Sequence, residues 1–225
     1  MNIPTDLANT LKIITVSVIP LLLAITLHEA AHGFMALVFG DDTAKRAGRL
    51  SINPIRHIDP FGTIVLPIML MLATSGRMFG YAKPVPVNYN RLVPQKLGIV
   101  FVALAGPLTN LVLAIIFAGL FSLVHLIAPG SVRDFVVGNL QRGFSYNLVF
   151  AVLNILPIPP LDGGRIVMAL LPLRYSVKLA PYERYMIMGL MLAMILPIVG
   201  PYVYGYLVGV PASWLGDQIA ALFGV

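Results

Sequence analysis

The feature that most constrains this chain is its four long apolar stretches, at about residues 12–40, 97–128, 135–160 and 185–210. Each stretch is long enough to cross a hydrocarbon core of about 30 Å as a helix. The composition agrees, because 58% of the 225 residues are hydrophobic and only 11% are charged. A soluble domain of this length needs far more charge to cover its surface. The sequence therefore predicts an all-α polytopic membrane protein with about four transmembrane helices.

Two shorter segments predict additions to this bundle. The apolar run at residues 63–74 is too short for a comfortable span and contains Pro67, and the polar, proline-rich chain that follows it does not return across the membrane before residue 97. We therefore expect a re-entrant element, buried against protein because lipid offers its backbone no partners. A model with five full spans remains an alternative. Residues 48–62 contain β-forming and turn residues, which predict a short membrane-associated β region.

Basic residues indicate how the spans are threaded. Twelve of the fifteen lysines and arginines lie in two segments, residues 41–96 and 161–185. The positive-inside rule places both segments in the cytoplasm and makes the chain a multi-pass protein of the cell membrane. The net charge of +6 does not predict a nucleic-acid partner, because the basic residues never interleave with aromatic residues in one patch.

The length fits a single membrane-embedded domain over residues 1–225, with a core at residues 12–172 and a last transmembrane helix at about 185–210. The first apolar run continues past any plausible signal-peptide cleavage point, so we expect a retained first helix. The chain contains no cysteine. Any metal ion must therefore be bound by histidine and carboxylate side chains.

The first apolar stretch contains the pattern HExxH as His28-Glu29-Ala30-Ala31-His32. Residues four apart share a face of a helix, so the two imidazoles can bind one metal ion, and Glu29 is suited to take a proton from metal-bound water. The pattern also occurs by chance on surface helices. Here it lies in the middle of a membrane-length helix, where each ionisable group costs about 2.5–3.5 kcal/mol, and this cost favours a function.

A catalytic zinc ion takes a third protein ligand and leaves a fourth position for water. Most acidic residues of the chain fall at its ends or in polar loops. Asp162 instead follows an apolar helix within NILPIPPLDGG, where prolines break the helix and two glycines allow close backbone approach. An ordinary aspartate at a helix end is the alternative interpretation.

Together, HEAAH and NILPIPPLDGG resemble the site-2 protease family of intramembrane zinc metalloproteases. The stretches GRLSINPIRHIDPFGT, GYAKPVPVN and AGPLTN agree with this resemblance, which covers most of residues 20–170 and is closest to the compact bacterial members without a PDZ or CBS domain. The resemblance implies that His28, His32 and Asp162 bind one Zn²⁺ per chain and that Glu29 activates the water. It also implies transmembrane protein substrates within the lipid bilayer. The cytoplasmic position of the two basic segments predicts an active site that opens toward the cytoplasm. No motif indicates an oligomeric state.

Two further polar residues are weaker candidates. Asn154 lies two helical turns before Asp162, and its amide can hydrogen-bond a substrate or, equally, another helix. His57 is a candidate for binding the substrate or the tetrahedral intermediate, and a structural role in its loop is the alternative. We assign no role to His125 and interpret Asn110, with Gly106 and Pro107, as close helix packing.

The sequence thus predicts regulated intramembrane proteolysis by a zinc metalloendopeptidase. In this interpretation, strand-like segments around residues 48–54 and 83–88 pair with an unwound substrate. A metal-ion transporter is one alternative, but it normally shows repeated halves, which this chain lacks. A proteolytically inactive, binding-only relative is the other, and it would lack the base or a ligand.

Overall fold

In the computed structural model of the chain, the described residues are 5–59, 62, 65, 69 and 83–224. Helix α1 spans Thr5–Val38 and contains Pro20 without ending there. The short helix α2, Thr43–Arg46, follows it, and single 3-10 turns form at Pro54–Arg56 and Tyr89–Arg91. The expected re-entrant element at residues 63–74 lies outside the described residues, apart from positions 65 and 69.

Helices α3 and α4 form the central hairpin. Helix α3 spans Gln95–Ser122 and α4 spans Ser131–Ile155, with a 3-10 turn at Val124–Leu126 between them. The two helices pack along their lengths, and α1 packs against both of them. Helix α5, Asp162–Leu170, then lies against α3. Three helices and the first turn of a fourth therefore meet in one buried region.

The remaining helices complete the bundle. Helices α6 and α7 span Leu173–Leu179 and Glu183–Ile195. Helix α8, Gly200–Tyr204, continues through a π-helical turn at Gly205–Gly209 into α9, Val210–Phe223. The main hydrophobic core joins α3 and α4 to this last helical stretch, through Ala114, Ala118, Leu148, Val152, Leu153, Val208, Ala212 and Ile219.

Within the described part of the chain, two helical stretches are long and apolar enough to cross a membrane. They are Ile13–Val38, with a mean hydropathy of 1.9, and Gln95–Leu126, with 2.4. Helix α4 occupies most of the third expected span, but its 25 residues include Arg133, Asp134 and Arg142. The all-α expectation therefore agrees with the structure, whereas only two of the four expected spans meet this test.

Residues 185–210, where we expected the last transmembrane helix, do not form one continuous helix, because the chain leaves helical conformation between Ile195 and Gly200. Pro197 explains the break. Its ring disfavours helical dihedrals in the residue before it, and Leu196 is extended, with ψ at 129°. The chain resumes a helix at Gly200, followed by Pro201 in the first turn, where a missing N–H costs nothing.

The expected β region also differs from the structure, because residues 48–59 and 83–88 form no strand. Asn53 caps the 3-10 turn at Pro54–Arg56 through its side chain, which ends any extended pairing there. In residues 83–88, Pro84 and Pro86 have no N–H for a strand ladder. The N–H groups that remain bind elsewhere: that of Lys83 donates to the His57 carbonyl, at 3.0 Å.

Candidate active site and metal centre

The two histidines of HExxH lie one turn apart on α1 and face the interior. His28 is 8% exposed and His32 is 9% exposed. Their Nε2 atoms lie 3.0 Å apart. The helical spacing of the motif thus brings the two imidazoles together as the sequence predicted.

Asp162 reaches the same point from the first residue of α5. Its Oδ2 atom lies 3.2 Å from His28 Nε2 and 3.4 Å from His32 Nε2. Gly163 and Gly164 follow, and a Cβ atom at either position would overlap the backbone of residues 155–159. The glycines therefore allow the chain to turn tightly enough for the carboxylate to enter the buried region.

The hydrogen bonds of the two imidazoles determine which nitrogen carries the proton. His32 Nδ1 lies 2.7 Å from the Val102 carbonyl, which can only accept, so Nδ1 must donate. His28 Nδ1 lies 2.6 Å from Asn110 Oδ1, and the Asn110 amide nitrogen is oriented toward the Ala24 carbonyl. In the neutral form, each ring therefore carries its proton on Nδ1 and presents an unprotonated Nε2 to the shared space.

Three Lewis bases thus converge with no proton between them, which fits a bound cation. Ligand atoms around one tetrahedral zinc ion at about 2.0–2.1 Å lie about 3.3 Å from one another. The separations of 3.0, 3.2 and 3.4 Å match this value. Among the described residues, His28, His32 and Asp162 are the group of three or more His, Asp or Glu side chains that is close enough to bind a metal ion.

Gly106 on α3 forms a wall of this space. A Cβ atom at this position would lie 2.5 Å from His32 Nε2 and 2.6 Å from His28 Nε2. Such contacts are far shorter than van der Waals distance, so any side chain there would occupy the space between the ligand atoms. The absence of a side chain at residue 106 leaves room for a metal ion.

A buried amide network holds His28 in place. Asn110 accepts from His28 and donates to the Ala24 carbonyl at 3.2 Å and to Asn147 Oδ1 at 2.8 Å. Asn147 in turn donates to the Gly143 carbonyl at 2.7 Å. Both asparagines are fully buried. Partners of this kind orient metal-binding histidines and fix their tautomer.

Glu29 projects toward the extended segment at residues 83–88. Its Oε2 atom accepts a hydrogen bond of 2.8 Å from the Val85 N–H. The Val85 side chain packs against Gly33, one turn further along α1. One carboxylate oxygen of Glu29 is therefore held by the backbone, and the other accepts no hydrogen bond from the residues that the structure describes.

Comparisons with known proteins agree with this geometry. The "Putative zinc metalloprotease YwhC" of Bacillus subtilis is 41% identical over 190 residues, which cover 83% of this chain and 82% of that protein. The "Putative zinc metalloprotease Rip2" of Mycobacterium tuberculosis is 30% identical over 201 residues, or 87% of this chain and 71% of that protein. The model of peptidase family M50 matches residues 132–198. The chain belongs to peptidase family M50, the site-2 protease family.

Membership of the M50 family makes this chain a membrane metalloprotease with zinc as its cofactor. The "Putative zinc metalloprotease MJ0611" of the archaeon Methanocaldococcus jannaschii is also similar, at 33% identity over 139 residues, or 62% of each chain. No solved structure matches the chain. We therefore assign roles to individual residues from the geometry of this site.

The two weaker candidates lie outside the group that the structure brings together. Asn154 donates to the Phe150 carbonyl of its own helix, at 3.1 Å. His57 is buried, and its Nε2 atom bonds the Ser51 carbonyl at 2.7 Å. These contacts favour structural roles for both residues, in α4 and in the loop at residues 48–59.

The sequence interpretation missed Gly106 and Asn110 as parts of the site. Both lie in AGPLTN, which we interpreted as close helix packing. That interpretation is incomplete, because what these residues pack against is the pair of imidazoles. The available signal was the combination of a glycine and a polar amide four residues apart in an apolar helix, which places both on one face.

Proposed function

We propose that this chain hydrolyses peptide bonds in or near the transmembrane segments of other membrane proteins, with His28, His32 and Asp162 as zinc ligands and Glu29 as general base. The observation that carries the proposal is the convergence of two imidazole Nε2 atoms and a carboxylate oxygen within 3.4 Å. Two of the proposed ligands, His28 and His32, lie on a membrane-length helix, which supports substrates that are themselves embedded in the bilayer.

The residues of the chain then have distinct tasks. Zinc, when bound, acidifies water and polarises a carbonyl group. Glu29 takes a proton from the attacking water and returns it to the leaving amine. The Val85 N–H holds one Glu29 oxygen in place, so that the carboxylate keeps its direction through both proton transfers. Asn110 and the Val102 carbonyl keep both histidines in the tautomer that leaves Nε2 free.

The catalytic test compares Glu29→Gln with His28→Ala and Asp162→Ala, using a single-span reporter protein in detergent. We expect Glu29→Gln to keep its zinc and lose cleavage, because only the base is removed. The other two variants should lose zinc as well, which elemental analysis of the purified proteins measures. A chelator should stop wild-type cleavage. Near wild-type activity in Glu29→Gln would disprove the assignment of the base.

We further propose that the active site opens toward the cytoplasm of a multi-pass cell-membrane protein. Asp41 Oδ2 accepts from the Asn88 N–H at 2.6 Å, and the Phe39 carbonyl accepts from the Val93 N–H at 2.8 Å. The end of α1 and the start of α3 are therefore at the same end of the molecule. This adjacency supports one side of the membrane for both ends, and the eight lysines and arginines of residues 41–96 favour the cytoplasmic side.

Single cysteines test this orientation, because the chain has none of its own. Cysteines replacing Thr43 and Asn90 should resist a membrane-impermeant thiol reagent in intact cells. A cysteine replacing Ser131, at the far end of the α3–α4 hairpin, should react. Labelling at residue 90 but not at residue 43 would require a full crossing at residues 63–74 and would overturn this topology.

A further inference from the structure

A tyrosine–arginine pair lies beside the metal site and has no part in the mechanism above. Arg165 donates a short hydrogen bond from its guanidinium to the Tyr89 hydroxyl oxygen. The same guanidinium lies over the Tyr89 ring, 5.2 Å from its centroid, and its Nε donates to the Pro160 carbonyl at 3.3 Å. Both residues are half-buried. These contacts therefore fix the orientation of both side chains, and part of each residue is exposed.

Three connections place this pair close to the proposed chemistry. Arg165 follows Asp162 by one turn of α5, which puts both residues on the same face. Tyr89 follows the extended segment whose Val85 N–H binds Glu29. The Tyr89 side chain also packs against a cluster that includes Ala36, one turn after His32, and Val102, whose carbonyl binds His32. The phenol thus joins the segments that present the base and the third ligand.

The hydroxyl of Tyr89 is free to donate a hydrogen bond. Arg165 has donors only, so the bond between them uses a lone pair of the tyrosine oxygen and leaves its hydrogen available. No acceptor for this hydrogen is present among the described residues. A neighbouring positive charge also strengthens an O–H group as a donor.

The electrostatic surroundings of Tyr89 agree with this position. Burial raises the pKa of the Tyr89 hydroxyl above its usual value, Arg165 opposes this, and the negative charges of Asp162 and Glu29 add to the increase. The negative charges of Asp162 and Glu29 therefore act on the Tyr89 hydroxyl, which stays protonated at neutral pH.

We propose that Tyr89 is a catalytic residue whose hydroxyl donates a hydrogen bond to the oxygen of the scissile carbonyl as negative charge develops there, and that Arg165 positions and polarises it. The proposal rests on the proposed peptide hydrolysis. Donors aimed at a developing oxyanion stabilise the transition state more than the bound substrate. The proton stays on Tyr89 throughout, so no further proton transfer is needed.

The test uses Tyr89→Phe, which keeps the ring and its contact with Arg165 and removes only the hydroxyl. We expect kcat to fall about 100-fold with KM and zinc content unchanged, the usual loss for one oxyanion donor. Tyr175→Phe is the matched control. Tyr175 also lies under an arginine, Arg174 at 4.6 Å, but it is exposed on α6, and its variant should cleave like wild type.

Binding measurements separate catalysis from substrate positioning. A phosphinic peptide, which mimics the tetrahedral intermediate, should bind Tyr89→Phe about 100-fold more weakly than wild type. In a Glu29→Gln background, which binds substrate without turnover, adding Tyr89→Phe should leave the affinity for the intact reporter unchanged. Equal weakening for both ligands would show that Tyr89 only positions the substrate, and the proposal would be wrong.

Arg165 is tested by whether its effect depends on Tyr89. Arg165→Met should lower kcat, and combining it with Tyr89→Phe should lower kcat no further, because Arg165 acts only through the hydroxyl that Tyr89→Phe removes. Arg165→Lys should recover part of the activity. Additive losses would overturn the positioning role. If wild type cleaves, Glu29→Gln does not, and Tyr89→Phe equals wild type, the oxyanion proposal fails while the proposed hydrolysis stands.

Discussion

The candidate site has two sides that are built from different interactions. The helical side consists of residues on α1, α3 and α5, namely His28, His32, Gly106, Asn110 and Asp162. It is buried, and its imidazoles are each fixed by a hydrogen bond within the bundle. The extended side, residues 83–91, has no regular secondary structure before Tyr89 and contacts Glu29, the proposed base, through one backbone N–H.

This difference separates two tasks of a metalloprotease. Metal binding requires ligand atoms held within tenths of an ångström, which packed helices provide. Acting on a peptide requires exposed backbone and polar groups near the base, which an extended segment provides. Changes on the helical side should therefore affect zinc, and changes on the extended side should affect turnover with zinc still bound.

The largest expected effect is that of Gly106→Ala on the helical side. The added methyl group would lie between the two imidazole nitrogens, so we expect loss of zinc and of all cleavage. Gly189→Ala on α7 is the matched control, because a Cβ atom there meets nothing within 4 Å. That variant should be active and slightly more stable, since alanine favours a helix over glycine by about 0.5–1 kcal/mol. Zinc content and thermal unfolding distinguish them.

Retention of zinc by Gly106→Ala would contradict the proposed position of the metal ion, which is beside Gly106 and between the imidazoles of His28 and His32. An inactive variant with a normal zinc content would instead indicate that α3 takes part in substrate binding. Either result would weaken the assignment of zinc binding to the helical side and of turnover to the extended side.

A smaller effect is expected for Val85→Pro on the extended side. Proline removes the N–H that binds Glu29, and a hydrogen bond to a charged group contributes about 1.5–3 kcal/mol, so kcat should fall about 10- to 100-fold with zinc unchanged. Val85→Ala keeps the N–H and loses only the side-chain contact with Gly33, so it should retain most of the activity. Equal losses in the two variants would show that packing, rather than the N–H, matters.

The smallest effect on turnover is expected for Asn110→Ala. Loss of the partner of His28 should weaken zinc binding about 10- to 100-fold, as is usual for residues that orient a ligand. Activity should therefore approach the wild-type value when excess zinc is added. Asn139→Ala is the control, because Asn139 bonds the Phe135 carbonyl of its own helix. If excess zinc failed to restore activity, Asn110 would have a role beyond orientation.

The sequence predicted those parts of the site that depend on local spacing. The separation of His28 and His32 determines their common face, and the prolines and glycines around Asp162 indicate a break that turns the chain inward. Gly106 and Asn110 were assigned to packing because their partners lie on another helix. Contacts between distant segments depend on how the helices cross, which one periodic pattern does not encode.

Apolar length predicted α1 and α3 well and the end of the chain poorly. Mean hydropathy averages over a window of residues, so it does not distinguish the interrupted stretch at residues 185–210 from a continuous apolar helix. A single residue, Pro197, divides that stretch in the structure. The expected strand at residues 83–88 is absent for a similar reason. β-forming side chains alternate in KPVPVN, but its prolines have no N–H to donate to a neighbouring strand.

The placement of the three proposed ligands also affects how the protein is made. His28 and His32 leave the ribosome early, whereas Asp162 follows only after α3 and α4 have been synthesised. Until α5 has been synthesised, a nascent chain has the two imidazoles without the Asp162 carboxylate. If these three residues bind zinc as we propose, a chain that stops before α5 lacks the third ligand and should not cleave.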